Sequence, residues 1–194
     1  MARLRKDEMP VIMPWKYANG YNEKPISVKN HTMVCEWCRQ MHRYHHPMDT
    51  GDVLYRWNIA MYQMCGVNQL IYSDDNDMRE WGEAIGSVFI HAVACFENCG
   101  VCCDDYVILE AHTHHHTLSL YRKIVENFPF ITRQVLYYAM GRKNRFDGKV
   151  LTEHGLNMLN IIIYMNNAYN PHLSFHEGLA LAMDKLQNIE IKTH

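Results

Sequence analysis

The densest run of metal-ligating side chains is Glu110-Ala111-His112-Thr113-His114-His115-His116. On a helix, His112 and His116 stand four residues apart on one face, with Glu110 and His114 on the adjacent face. Neutral imidazoles at that spacing bind Zn²⁺ or another transition metal. The same run also reads as the polar, solvent-facing end of a helix. Two Cys-x-x-Cys pairs, Cys35/Cys38 and Cys99/Cys102, form a second cluster, with Cys103 adjacent and His42, His45 and His46 after the first pair. Two such pairs can supply the four tetrahedral ligands of a zinc site. Equally, cysteines three residues apart on a helix serve as small buried apolar groups.

Composition limits the setting of these groups. The chain has 194 residues, 48% of them hydrophobic, with 21 acidic and 19 basic residues and a formal charge of −2. That is enough chain to bury a core in one domain. There is no basic excess of the kind nucleic-acid binders carry, and no low-hydrophobicity signature of disorder. No apolar run approaches the roughly 20 residues a membrane helix needs. The basic start lacks the apolar stretch of a secretory signal. The expectation is a cytoplasmic protein with neither a membrane nor a specific nucleic acid as partner. The 13 His, 13 Met, 12 Tyr and 7 Cys are an unusual choice for a chain this size. Most Met and Tyr fall on helical stripes, where they read as core.

The elements that must position these groups are helices. Three prolines and Asn19-Gly20 make residues 1–30 an irregular arm, and a fourth proline follows at Pro47. Residues 52–64 carry Val53, Leu54, Trp57, Met61 and Met64 near helical spacing, with Gly66 as the expected stop. Residues 77–99 form the clearest helix, with Asp77 at its cap and Gly100 just past its end. Trp81, Ile85, Val88, Phe89, Ala92, Val93 and Phe96 share one stripe. Asp104 or Asp105 can cap a further helix through Ala111. Two helices are expected at 118–128 and 131–140, separated by Pro129, and another at 150–169, stopped by Asn170-Pro171. Ser174 and Glu177 form a capping box for the last helix. No segment alternates long enough to argue for a sheet. The expected fold is all-α, a helical bundle, with residues 31–116 as a first unit and 117–194 as a second packed into the same bundle. The spans 83–111 and 153–181 align without a gap as two similar helical hairpins.

Ile85-Gly86-Ser87-Val88, the apolar run to Phe96, and Gly100-Val101-Cys102-Cys103-Asp104-Asp105 resemble the outline of the all-α nucleoside triphosphate pyrophosphohydrolases, the MazG-like superfamily. Glu153 and the spacing to Ser174-Phe175-His176-Glu177 repeat part of that outline. The resemblance implies a helical bundle in which Mg²⁺ ions on carboxylates assist water in cleaving a nucleoside triphosphate between its α and β phosphates. On it, Glu80, Glu83 and Glu153 are the catalytic Mg²⁺ ligands, and Arg122, Lys123 and Arg142 could face phosphate. The acids are incomplete, however: Ser87 stands where the family has an aspartate, Asn157 stands at the matching place in the second half, and residues 56–60 hold no acid. The expected function is therefore a Mg²⁺-dependent nucleotide pyrophosphohydrolase or its catalytically degenerate relative. The alternative is a non-enzymatic helical module that binds a transition metal through its Cys and His clusters, or a protein partner through those clusters or its Met- and Tyr-rich faces. A homodimer is the expected assembly, since bundles of short helices often complete their cores that way.

Overall fold

Asp77 starts the central helix by accepting hydrogen bonds from the backbone N–H groups of Arg79 (2.8 Å) and Glu80 (3.3 Å). Such a cap contributes about 1 kcal/mol. The helix ends where Gly100 adopts φ +85°, a left-handed conformation that glycine reaches without strain. There the N–H of Gly100 reaches the Glu97 carbonyl (3.0 Å) and that of Val101 the Phe96 carbonyl (2.9 Å). Phe96 and Val101 are both buried, which adds the apolar contact that accompanies this terminus. Cap and stop stand where the spacing places them.

The computed structural model describes residues 50–73, 77–101, 103, 117–169, 173 and 175–192. Within them lie five helices: α1 (Thr50–Ile71), α2 (Met78–Asn98), α3 (Thr117–Ala139), α4 (Gly148–Tyr169) and α5 (Phe175–Lys192). The architecture is an all-α bundle. α1 and α2 pack as one hairpin and α3 and α4 as another, α1 also meets α3, and α2 meets α4 and α5. None of the described helices is long and apolar enough to cross a membrane. The arm at 1–30, the expected helix after Asp104, and the Ser174 half of the capping box lie outside the described residues.

α2 runs through the middle of the bundle. Of residues 81–98, only Glu83, Ala84, Ser87 and Glu97 escape burial. Trp57, Trp81, Phe89, Phe96 and Phe175 are the largest buried side chains. Each such burial contributes roughly 1.5–3 kcal/mol. The buried indoles also find polar partners. Trp57 donates to the Thr132 hydroxyl (2.8 Å), tying α1 to α3, and Trp81 donates to Asn166 Oδ1 (3.2 Å), tying α2 to α4. Asn166 donates in turn to the Leu173 carbonyl ahead of α5 (3.3 Å). Tyr169 stacks on Trp81 at 3.8 Å and donates to the Leu70 carbonyl of α1 (3.0 Å).

α2 and α5 approach closely because both present small residues. A Cβ on Gly86 would overlap the Gly178 carbonyl and lie 2.9 Å from the Ala182 methyl, and one on Gly178 would lie 2.9 Å from the Gly82 carbonyl oxygen. Phe89 closes the seam edge-on against Phe175, with ring centroids 5.0 Å apart.

Three expectations are corrected. Gly66 does not stop α1, which continues to Ile71. Met64 and Val67 on its buried face hold the helix through the glycine, outweighing a local cost of about 1 kcal/mol. Pro129 does not divide 118–140 into two helices. It sits inside α3, on the exposed side, and the Val125 carbonyl it leaves without a helical donor belongs to a residue also open to water. Tyrosine is not core: among the described residues none is buried, although Tyr121, Tyr138, Tyr164 and Tyr169 pack against the core from its edge. A phenol buries its ring readily but keeps its hydroxyl near water or an acceptor. Methionine divides, with Met64, Met158, Met165 and Met183 buried and Met140 exposed.

Candidate functional site

Glu80 is exposed in the first turn of α2, where the helix dipole favours a carboxylate. One turn on, the Glu83 carboxylate meets Arg79 (3.4 Å) and Lys185 of α5 (3.1 Å). Its nearest charged groups are therefore cations. Glu153 is exposed on α4. Among the described residues, no three His, Cys, Asp or Glu side chains stand together where they could hold a metal ion, so Glu80, Glu83 and Glu153 are not brought into one cluster. Ile85 and Gly86, two of the residues that carry the pyrophosphohydrolase resemblance, serve packing: Ile85 is core and Gly86 faces Gly178.

Glu110, His112, His114 and His116 lie outside the described residues, as do Cys35, Cys38 and Cys102. Of the described cysteines, Cys95, Cys99 and Cys103 are buried and Cys65 is exposed on α1, and none of the four is in a disulfide. The Cys103 N–H is held by Glu97 Oε1 at 2.8 Å, which secures the chain after the α2 stop.

A polar group joins α3 to α4. The buried Asn127 donates to the Lys123 carbonyl (2.8 Å), and its Oδ1 lies 2.9 Å from His154 Nδ1 and accepts from Asn157 (3.4 Å). The His154 imidazole lies flat on the Phe130 ring, centroids 4.1 Å apart at an interplanar angle of 4°. With both amide groups of Asn127 partnered, this arrangement fixes the register of the two helices. Burial raises the phenol pKa of Tyr121, with smaller contributions from the neighbouring Cys65 thiol and Tyr72 phenol. Burial does the same at Tyr138, next to Cys99, and at Tyr164 and Tyr169. These groups are neutral hydrogen-bond donors near pH 7.

The outer face of α3 differs from every other helix surface described. Its inner face buries Leu120, Ile124, Ile131 and Val135. Opposite them, at helical spacing, stand Arg122, Val125, Pro129, Arg133, Leu136 and Met140. Val125, Leu136 and Met140 are 37%, 40% and 56% exposed, and Phe130 beside them is 41% exposed. The large exposed apolar side chains of α1 and the residue after it are tyrosines, at 55, 62 and 72. Between Phe128, Pro129, Arg133, Leu136, Tyr137 and Met140 lies an open depression of about 580 Å³. Arg133 crosses its edge, with its guanidinium 6.0 Å from the centroid of the Phe130 ring.

The turn after α3 is held firmly. Gly141 takes φ +63°, its N–H bonds the Tyr138 carbonyl (3.0 Å), and that of Arg142 bonds the Tyr137 carbonyl (2.9 Å). The buried Gln134 accepts from the Asp147 N–H (2.8 Å), and Asp147 caps α4 through the N–H groups of Lys149 and Val150. Arg142, Lys143 and Arg145 are all exposed on this turn. The segment 117–149 holds seven of the 19 basic residues of the chain and two of its 21 acidic ones.

Sequence reasoning missed this surface because it broke α3 at Pro129. Once 118–140 is one helix, residues 122, 125, 129, 133, 136 and 140 fall on one stripe, and apolar residues opposite the core face are the signal. Compared with family models, curated proteins and solved structures, the chain has no match in any of the three, and no family is identified.

Proposed function

We propose that this chain is a non-enzymatic helical module that binds a protein partner on the outer face of α3. The observation that carries the reading is that face: apolar side chains exposed side by side around an open depression, on a helix whose opposite face already fills the core. Scattered surface leucines need no explanation, but a contiguous apolar patch set in a basic surround marks an interaction site.

The Glu83 ion pairs support the non-enzymatic half of the proposal. A Mg²⁺ site needs carboxylates that face one another, and Glu83 faces Arg79 and Lys185. Under this reading the MazG-like outline at Ile85-Gly86-Ser87 is that of a catalytically degenerate relative, with the bundle kept and the metal lost. Incubation with each common nucleoside and deoxynucleoside triphosphate in Mg²⁺ is expected to release no pyrophosphate above a protein-free control. Turnover that disappears in Glu83→Gln would overturn the non-enzymatic reading and restore Glu80, Glu83 and Glu153 as metal ligands.

A further inference from the structure

We infer that the partner segment seated on α3 is acidic and amphipathic, with apolar side chains entering the depression between Pro129, Leu136 and Met140 and carboxylates over Arg133, Arg142, Lys143 and Arg145. This rests on the partner-binding reading above.

Charge complementarity selects the occupant. The basic residues of the turn stand at the C-terminal end of the groove, and Arg133 stands on its edge. The ion pairs among the described residues, Arg79–Glu83 and Lys185–Glu83, use none of these four cations. Cations after a helix C-terminus answer its dipole, and one is enough for that. Three on a single turn, beside a fourth on the helix, make a field that draws a negatively charged partner. The turn bonds at Gly141, Arg142 and Asp147 fix the backbone of this rim before anything binds. Little backbone ordering cost is therefore left for the complex, and the exposed side chains carry the rest.

The floor of the groove selects protein over other polyanions. Its centre is Pro129, Leu136, Tyr137 and Met140, with one cation among them. A nucleic-acid strand would lay most of its phosphates along that apolar centre, where Arg133 alone answers them. An amphipathic helix satisfies both parts, with anchors at i, i+3 or i+4, and i+7 on the floor and acids at the rim.

The test uses the full chain and a fluorescent synthetic peptide with leucines at i, i+3, i+4 and i+7 and glutamates elsewhere. A counterpart carries lysine for every glutamate. Anisotropy is expected to show binding of the glutamate peptide, weakened by added salt, with no comparable binding of the lysine peptide. Reversing the rim with Arg142→Glu, Lys143→Glu and Arg145→Glu is expected to weaken it about tenfold. Leu136→Asp with Met140→Asp is expected to abolish it, and Met140→Asp alone repeats the test at the most exposed position. Melting by circular dichroism checks that each variant is folded.

Equal binding of both peptides, still dependent on Leu136 and Met140, would overturn the acidic occupant while leaving a partner-binding face. Binding indifferent to Leu136 and Met140, or no binding of either peptide, would overturn the face itself. Tighter binding of poly(U) or of phosphatidylserine vesicles, lost in the rim-reversed variant, would replace the protein partner with RNA or a membrane surface.

Discussion

The α2–α5 seam and the outer face of α3 are opposite kinds of surface. The seam holds the residues that resemble a catalytic motif, and packing accounts for them: Gly86 admits the Gly178 backbone, Ile85 fills core, and Glu83 bridges to Lys185. The α3 face holds no motif, and packing among the described residues does not account for it. Leu136 and Met140 face water although α3 already buries another full side. A sequence pattern that folding alone explains is weak evidence for function. A costly pattern that folding does not require is stronger evidence.

Substitutions can break this contrast. Gly86→Ala is expected to have the largest effect, a loss of about 2–3 kcal/mol in urea unfolding, because backbone on α5 cannot yield to a new methyl. A tolerated Gly86→Ala would show that the seam is looser than its contacts require. Pro129→Ala should act the other way and stabilise by about 1–3 kcal/mol, since it returns a helical N–H to the Val125 carbonyl. If it does so while weakening the peptide, Pro129 is kept for the groove at the expense of stability. Gly66→Ala, with open space around its Cβ, should gain about 0.5–1 kcal/mol. The two glycine results of opposite sign would separate a packing glycine from an incidental one.

Glu83→Gln should cost no more than about 1 kcal/mol, because its partners Arg79 and Lys185 are 72% and 64% exposed and solvent screens such pairs. A larger loss would mean that the acid holds α5 in place. Smallest of all, Met140→Gln, at a position 56% exposed, should move stability by less than about 0.5 kcal/mol. A marked loss of stability would make that face structural and remove its contrast with the seam.

Much of the fold is legible in the sequence. Asp77 and Gly100 bound α2 because capping and the left-handed stop are local events, and the stripe from Trp81 to Phe96 needs only helical periodicity. Gly66 and Pro129 mislead because each is a local penalty that burial elsewhere on the same helix overrides. Asp147 caps α4 without being anticipated, although Asp147-Gly148 ahead of an apolar run is the usual signal. The candidate site divides along the same line. The spacing of Glu80 and Glu83 can be read directly, but the cations that Glu83 meets come from the preceding turn and from a helix 102 residues later. No spacing rule reaches that far. The groove was hidden by a single misread proline.

Chemical-shift mapping tests the central claim most directly, by titrating ¹⁵N-labelled protein with the glutamate–leucine peptide. Shifts should concentrate at residues 125–145, around Leu136, Met140 and the basic turn, and leave Arg79, Glu83 and Lys185 unmoved. Shifts centred on the α2–α5 seam, or a spectrum that the peptide leaves unchanged, would contradict the assignment of function to α3.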